Sequence, residues 1–406
     1  MALEIQNKIR YFFTQLNYEK VLKKLRQEVK HRKIRVLFYV CENSKWAFQT
    51  LYELLEKDDV FEPFIVVSLL KRVVDGIDKT RNNLEENYQF FKSKGMNVEY
   101  GFKDGTWILL NEFSPDIVFY EQQWELPKTH KPYNVSKYSL TAYSYYSLPI
   151  FDYTGDYSRK FHKMLFRTFA DSEENLKRYE KYEGGKLNNY VVTGYSKLDV
   201  YADNNPIDEA KIWKNPDGFK IIYAPHHSFA DKGIDVATFH KNGQLILDLA
   251  KNNPQTTWVF KPHPAFKLEI LKNNIMSEEE LNKYFVEWEN VGKVYTQGDY
   301  FDIFKSSDLM ISDCCSFLAE YLPTGKPLIR PLRNGNIKLN SLGEKVVEGY
   351  YQTNGNEELE KIFKQLVIDK NDSKKEIRLN SIKNVYNKNE KSVVKLINEF
   401  KKCLGV

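Results

Sequence analysis

The sequence predicts an α/β protein made of two parallel-sheet domains in series. Three observations carry this expectation. Short apolar runs alternate with helical stretches, the alternation occurs twice, and a polar segment with Pro206, Pro216 and Gly218 separates the two runs. The chain has 406 residues, enough for two domains with a core each. A 42% hydrophobic and 28% charged composition is that of a globular chain, not of a disordered or membrane-spanning one.

The elements follow in order. Residues 3–30 carry Ile5, Ile9, Phe12, Phe13, Leu16, Val21, Leu22, Leu25 and Val29 at helical spacing, with basic residues between them. This helix either packs on its own domain or lies on an anionic membrane surface. Val36–Val40, Pro63–Val67, Asn97–Tyr100 and Asp116–Tyr120 read as buried strands, Lys45–Leu55 and Lys79–Lys94 as helices, and Ala142–Phe151 as an extended run. Asp203–Gly218 reads as the join. The second set of strands is Lys220–Tyr223, Trp258–Lys261, Lys293–Tyr295, Leu309–Ser312 and Pro327–Ile329, with helices at Gly243–Asn252 and Ser316–Leu322. Ser373–Leu404 reads as a basic helix whose apolar positions need a partner. The expected division is therefore 1–204, a linker at 205–218, a second domain at 219–372 and a helical segment at 373–406.

Several function classes are excluded. A net charge of +5 with scattered Lys and Arg is too mild for nucleic-acid binding. The 27 Tyr and 26 Phe are spread through strands and helices, as core residues are, not gathered into a base-stacking platform. Val36–Asn43 lacks the glycine pattern of a dinucleotide site, no Walker sequence occurs, and no Asp-x-Asp pair or C-x-x-C spacing asks for a metal. No cofactor is required. Cys41, Cys314, Cys315 and Cys403 read as reduced thiols. The first ten residues lack the apolar centre of a secretory signal, and no apolar run approaches a membrane span.

Ligands of parallel sheets sit beyond the carboxyl ends of strands. Three segments follow strands of the second half. Tyr223-Ala224-Pro225-His226-His227-Ser228 brings two histidines, and Phe260-Lys261-Pro262-His263-Pro264 fixes one between prolines. Ile311-Ser312-Asp313-Cys314-Cys315-Ser316-Phe317 passes from strand to helix, where free N–H groups and the Ser316 hydroxyl can cradle a phosphate. Each alone also fits an ordinary turn or helix cap. Together they suit a pyrophosphate or phosphodiester.

With Gly194-Tyr195-Ser196-Lys197-Leu198-Asp199, these segments, over roughly residues 165–335, resemble the CDP-glycerol glycerophosphotransferase family of teichoic-acid and capsule synthesis. The resemblance implies a GT-B-like fold: two Rossmann-like domains flanking a cleft, nucleotide held by the second, and a last helix crossing back to the first. It places His263 at donor phosphate, Ser316 at the phosphate-binding helix start and Glu320 with Tyr321 at a paired position on that helix. Lys197 stands where the family usually has Arg. The expected donor site comprises Lys197, His226, His227, Lys261, His263, Asp313, Cys315, Ser316 and Glu320. The family's Trp-His-Gly-Thr-Pro motif, source of its catalytic base, is absent. Glu121, directly ending a strand, is the first candidate for that role; Asp152 and His130 are weaker.

The function so implied is transfer of a glycerol-phosphate, polyol-phosphate or sugar group from a nucleotide donor, CDP-linked by preference, to a hydroxyl of a glycan or lipid-linked glycan. His263 would stabilise charge on the leaving phosphate. The alternatives are a sugar-nucleotide epimerase of the same fold and a non-catalytic subunit of a capsule assembly complex. The expected location is the cytoplasm, with a weak contact to the inner membrane face.

Overall fold

Apolar runs become strands, and the two sets of strands make two separate parallel sheets. The computed structural model describes residues 2–77, 83–153, 159–203, 205–229, 235–296, 299–333 and 337–406. The first set is β1 (Ile34–Val40), β2 (Phe61–Val67), β3 (Val98–Tyr100), a hairpin of β4 (Phe102–Lys103) and β5 (Thr106–Trp107), then β6 (Ile117–Tyr120), β7 (Leu140–Ser144), β8 (Arg167–Ala170) and β9 (Tyr190–Val192). All but the hairpin form a seven-stranded sheet in the order β3-β2-β1-β6-β7-β8-β9. The second set is β10 (Phe219–Ala224), β11 (Thr256–Phe260), β12 (Gly292–Val294), β13 (Leu309–Ser312), β14 (Leu328–Pro331) and β15 (Tyr351–Thr353), ordered β12-β11-β10-β13-β14-β15. Pairing within both sheets is parallel. Parallel strands are covered on both faces, which explains their unbroken apolar runs. In β1, Val36 and Phe38 enter one core, and Leu37 and Tyr39 the other.

The chain forms two compact units. One holds Met1–Ser147, Gly155–Asp199 and Asn389–Val406; the other holds Leu148–Thr154 and Val200–Lys388. These bounds differ from the expected division. Residues 205–218 are structured as part of the second unit: they contain the helix Glu209–Ile212, and buried Trp213 donates through Nε1 to Ser306 Oγ at 2.9 Å. The run expected as Ala142–Phe151 breaks after β7. Its tail belongs to the second unit, where Phe151 bridges Leu339 and Asn340 N donates to Ile150 O at 3.0 Å.

The C-terminal stretch is two helices rather than one. Lys375–Ser381 stays with the second unit, anchored by buried Arg378, which binds Asp372, Gly325 O and Gly349 O. Ser392–Leu404 returns to the first unit. There Val393, Leu396, Ile397, Phe400 and Leu404 join a core with Tyr18, Val21 and Leu25 of the N-terminal helix Ala2–Glu28. That helix buries Thr14, Tyr18, Val21 and Leu25, whereas Phe12 and Phe13 are 60% and 52% exposed. No described helix is long and apolar enough to cross a membrane.

The segment Gly194–Asp199 holds the returning helix. Asp199 accepts from Ser392 N (3.0 Å) and Val393 N (2.8 Å), satisfying two N–H groups that a helix start leaves open. Gly194 has φ +97°, and a Cβ there would stand 2.5 Å from Ser392 Oγ. Asp199→Ala is expected to cost about 1–3 kcal/mol by stranding these buried donors. Urea unfolding measures it, and an unchanged midpoint would refute the clamp.

Candidate functional site

Each sheet has one point where strand order reverses, and open α/β sheets bind ligands there. In the second unit this lies between β10 and β13. Leaving β10, the chain places His226 N against Asp313 Oδ1 at 2.7 Å. The other oxygen, Oδ2, accepts from Thr238 N (2.6 Å) and Thr238 Oγ1 (2.7 Å) at the start of the helix Phe239–Asn252. Asp313 thus ties its own turn to both ends of the connection between β10 and that helix. Ser312 Oγ donates to Ala224 O at 2.7 Å and accepts from Cys314 N at 3.0 Å, closing the same junction.

β11 adds the next loop. His263 N donates to Pro225 O at 3.2 Å, bringing its ring 3.9 Å from that of His227 and 5.3 Å from that of His226. Burial, then the neighbouring charges of His227 and Lys261, hold the His263 imidazole down at about 3. Burial and the other two histidines hold His226 well below its ordinary value. Both rings are therefore neutral near pH 7. Lys261 is buried, its Nζ 5.2 Å from the Tyr300 ring centre and 5.9 Å from that of Phe317.

The ligating atoms of His226, His227 and His263 lie within 4.8 Å of one another, a spacing that suits a cation or an anion. Hydrogen bonds decide between them. His226 Nδ1 faces Ser228 N–H at 3.2 Å, which makes it the acceptor and the Ser228 hydroxyl, 2.7 Å away, a second donor to it; His263 Nδ1 accepts from Ala265 N at 3.1 Å. A neutral ring whose Nδ1 accepts carries its proton on Nε2. The free edges of these two rings are N–H donors and offer no lone pair to a metal. They suit phosphate oxygens.

Ser316 and Cys315 open the helix Cys315–Tyr321, whose N-cap, Cys314, makes no side-chain cap bond. The first-turn N–H groups are thus left without side-chain capping. Burial pushes the Cys315 thiol well above its ordinary value, so it is not a thiolate nucleophile. Glu320 is fully buried, accepting from Tyr300 Oη through its carboxylate and from Tyr201 Oη through its backbone oxygen.

The structure thus gathers His226, His227, Lys261, His263, Asp313, Cys315, Ser316 and Glu320 into one unit. Lys197 lies in the first unit, on the 3-10 segment Ser196–Ala202. Glu121 also lies there, and its position parallels that of Asp313. It follows β6 at the first sheet's own reversal, and its Oε2 accepts from Cys41 N (2.9 Å) and Glu42 N (3.2 Å) just beyond β1. Unlike Asp313, it has one oxygen, Oε1, with no hydrogen-bond partner among the described residues. Burial, partly offset by Lys45 and the two backbone N–H groups, pushes the carboxyl up to about 8. Lys45 lies beside it, bonded to Glu42 and to Gln122 Oε1 (3.1 Å), with Nζ 5.0 Å from the Trp124 ring centre.

The weaker base candidates fare differently. His130 is buried with both nitrogens engaged, by Tyr39 Oη and Ile108 O, each at 3.0 Å. Asp152 is an exposed residue of the second unit. Sequence reasoning missed Thr238 and Tyr300, which carry no motif, and Arg330. A lone arginine within the apolar strand Leu328–Pro331 was the available signal for the last.

Two parallel sheets, a C-terminal helix returning to the first unit and anion-ready groups at a switch point define a protein of GT-B-like fold. No model of a known family matches the chain. It is 29% identical over 179 residues to the teichoic acid ribitol-phosphate polymerase TarL of Staphylococcus aureus, a match covering 41% of this chain and 29% of that protein. The chain thus spans under a third of its curated relative. Among solved structures it resembles the wall teichoic acid polymerase TagF (TM-score 0.60, 13% identity, 98% of each chain). It also resembles UDP-GlcNAc 2-epimerase from Neisseria meningitidis (TM-score 0.59, 14% identity, 91% of this chain and 100% of that one). At such identities the structures speak for the fold. The resemblance to the CDP-glycerol glycerophosphotransferase family holds in sequence with TarL and in fold with TagF.

Proposed function

We propose that this protein transfers a polyol-phosphate, glycerol-phosphate or sugar group from a nucleotide-activated donor to a hydroxyl of a cell-surface glycopolymer. The observation that carries the reading is the cluster of His226, His227 and His263 beside Lys261, with Nε2–H donors on two rings. Preorganised donors of this kind stabilise charge on a leaving phosphate. In polyol-phosphate transfer, the acceptor oxygen attacks the phosphorus bearing the polyol. The bond from that phosphorus to the bridging oxygen breaks, and a nucleoside monophosphate leaves. The similarity to TarL, a ribitol-phosphate polymerase, favours a polyol phosphate as the transferred group, and the family resemblance favours a CDP-linked donor. Half-exposed Ile9, Tyr11, Phe12 and Phe13 beside Arg10 support a weak contact with the inner membrane face, where lipid-linked acceptors reside.

Glu121 is the acceptor base in this reading. The unpartnered Oε1 is the atom that would receive the proton. A ligand that binds only the folded state raises its melting temperature, so a thermal-shift screen of CDP, CMP, UDP, GDP and their glycerol, ribitol and sugar conjugates tests the donor. Loss of the donor with release of CMP, and a polymer gaining phosphate, tests the reaction.

The pH dependence separates the two roles. A base must be ionised, and Glu121 is held at about 8, so turnover is expected to rise with pH through about 8. Donor affinity is expected to stay flat between about pH 7 and 9. His226 and His263 are neutral throughout, and a diphosphate diester such as a nucleotide-linked polyol holds no proton that titrates in that range. Glu121→Gln should abolish turnover while leaving donor affinity intact. A variant retaining the rise would remove Glu121 from the role.

A further inference from the structure

Three arginines of the second unit are largely buried, and they are treated differently. Arg378 is paired with Asp372 and two backbone carbonyls. Arg333 is paired with Asp235 at 2.6 Å. Arg330 is only 4% exposed, yet among the described residues its one side-chain hydrogen bond is from Nη1 to the neutral side chain of Gln352, at 3.3 Å. Its guanidinium also lies 5.8 Å from the Phe151 ring centre. No carboxylate pairs with it among the described residues. A cation taken out of water without a partner is costly. A guanidinium presents five N–H donors in a fork that matches phosphate.

Its place in the sheet gives that fork a target. Arg330 is the penultimate residue of β14, one residue past the pairing of Ile311 with Ile329, and pairs with Gln352 on β15. It sits close enough to Asp313 for that carboxylate to offset part of the cost of its burial. The strand-to-helix junction Asp313–Ser316 therefore has the histidines that follow β10 on one side and Arg330 of β14 on the other. Neighbouring strands are about 4.8 Å apart, so the two flanks are about 10 Å apart along the sheet before their side chains reach inward. Two linked phosphates can occupy that span with one held from each flank.

We propose that Arg330 is a specificity-determining residue that binds the second anionic group of a ligand whose first is held by the histidine cluster, selecting a nucleoside diphosphate ester over a monophosphate. This rests on the reading of the second unit as the nucleotide site. It requires no covalent step.

The test compares wild type, Arg330→Gln, Arg330→Lys and His263→Ala by calorimetry. The probes are inorganic pyrophosphate, orthophosphate, CDP and CMP. Wild type is expected to prefer CDP to CMP and pyrophosphate to orthophosphate. Arg330→Gln should weaken the diphosphates about 10- to 100-fold, the span of a charge-assisted pair, and leave the monophosphates within about 2-fold. Arg330→Lys, which keeps the charge without the fork, should retain part of the preference and serves as the reading if the Gln variant does not fold. His263→Ala should weaken both ligand classes. If wild type binds none of the four probes, the nucleotide reading falls and this inference with it. If wild type binds them through His263 but the Arg330 variants keep the full preference, only the Arg330 assignment falls. A lowered melting temperature with an unchanged preference would make Arg330 a structural counter-charge to Asp313 and likewise overturn the proposal.

Discussion

His263→Ala should lower turnover with the activated donor by about 10²–10³-fold, the effect of removing one preorganised donor from a developing phosphate charge. The fold should survive. His263 sits in a loop whose backbone bonds, His263 N to Pro225 O and Phe266 N to His263 O, do not depend on the ring. Its Nδ1 holds Ala265 N, so a modest loss of about 0.5–1.5 kcal/mol is expected in unfolding. Donor binding and steady-state turnover, measured beside a melting curve, separate these effects. Unchanged turnover in a folded variant would remove the histidine cluster from the chemistry. His263→Asn, which can also present an N–H, should recover part of the loss.

Phe400→Ala should cause the largest loss of stability, about 3–5 kcal/mol. Phe400 is 1% exposed and meets Phe169 edge-on with ring centres 5.4 Å apart, deep in the core shared by both chain ends. The loss should appear in the first unit's transition alone. The second unit has its own core of Trp258, Phe260 and Trp288, and its melting should be unaffected, giving two transitions where wild type shows fewer. A uniform shift of one cooperative transition would contradict this separation.

Much of this was legible in the sequence because parallel strands advertise themselves. Val36–Val40 and Leu309–Ser312 are apolar runs bounded by polar residues, and the chemistry follows their ends. β8, β9 and β15 were missed. Arg167–Ala170 opens on a charge, Tyr190–Val192 and Tyr351–Thr353 are three residues long, and only the sheet decides that they pair. The join at 205–218 misled because its polar residues outnumber the one that matters, Trp213, whose burial depends on Ser306 far along the chain. In the site, the histidines announced themselves by following strands, His263 between two prolines. The protonation pattern did not, because it is set by backbone N–H groups two residues on. Arg330 went unread since an arginine in a strand gives no hint of whether an acid will meet it.

The clamp between Asp199 and Ser392 joins residues 193 positions apart, and this orders events during synthesis. The second unit's residues, ending at Lys388, emerge before the first unit's last helix does. At about 5–20 residues per second, the ribosome needs roughly 10–40 s to travel from Asp199 to Ser392. Throughout that interval the first sheet lacks the helix that covers Tyr18, Leu25 and Phe169, while the later-made unit can already close. The first-born half is thus the last to mature, and it is the half a nascent-chain chaperone would have reason to hold.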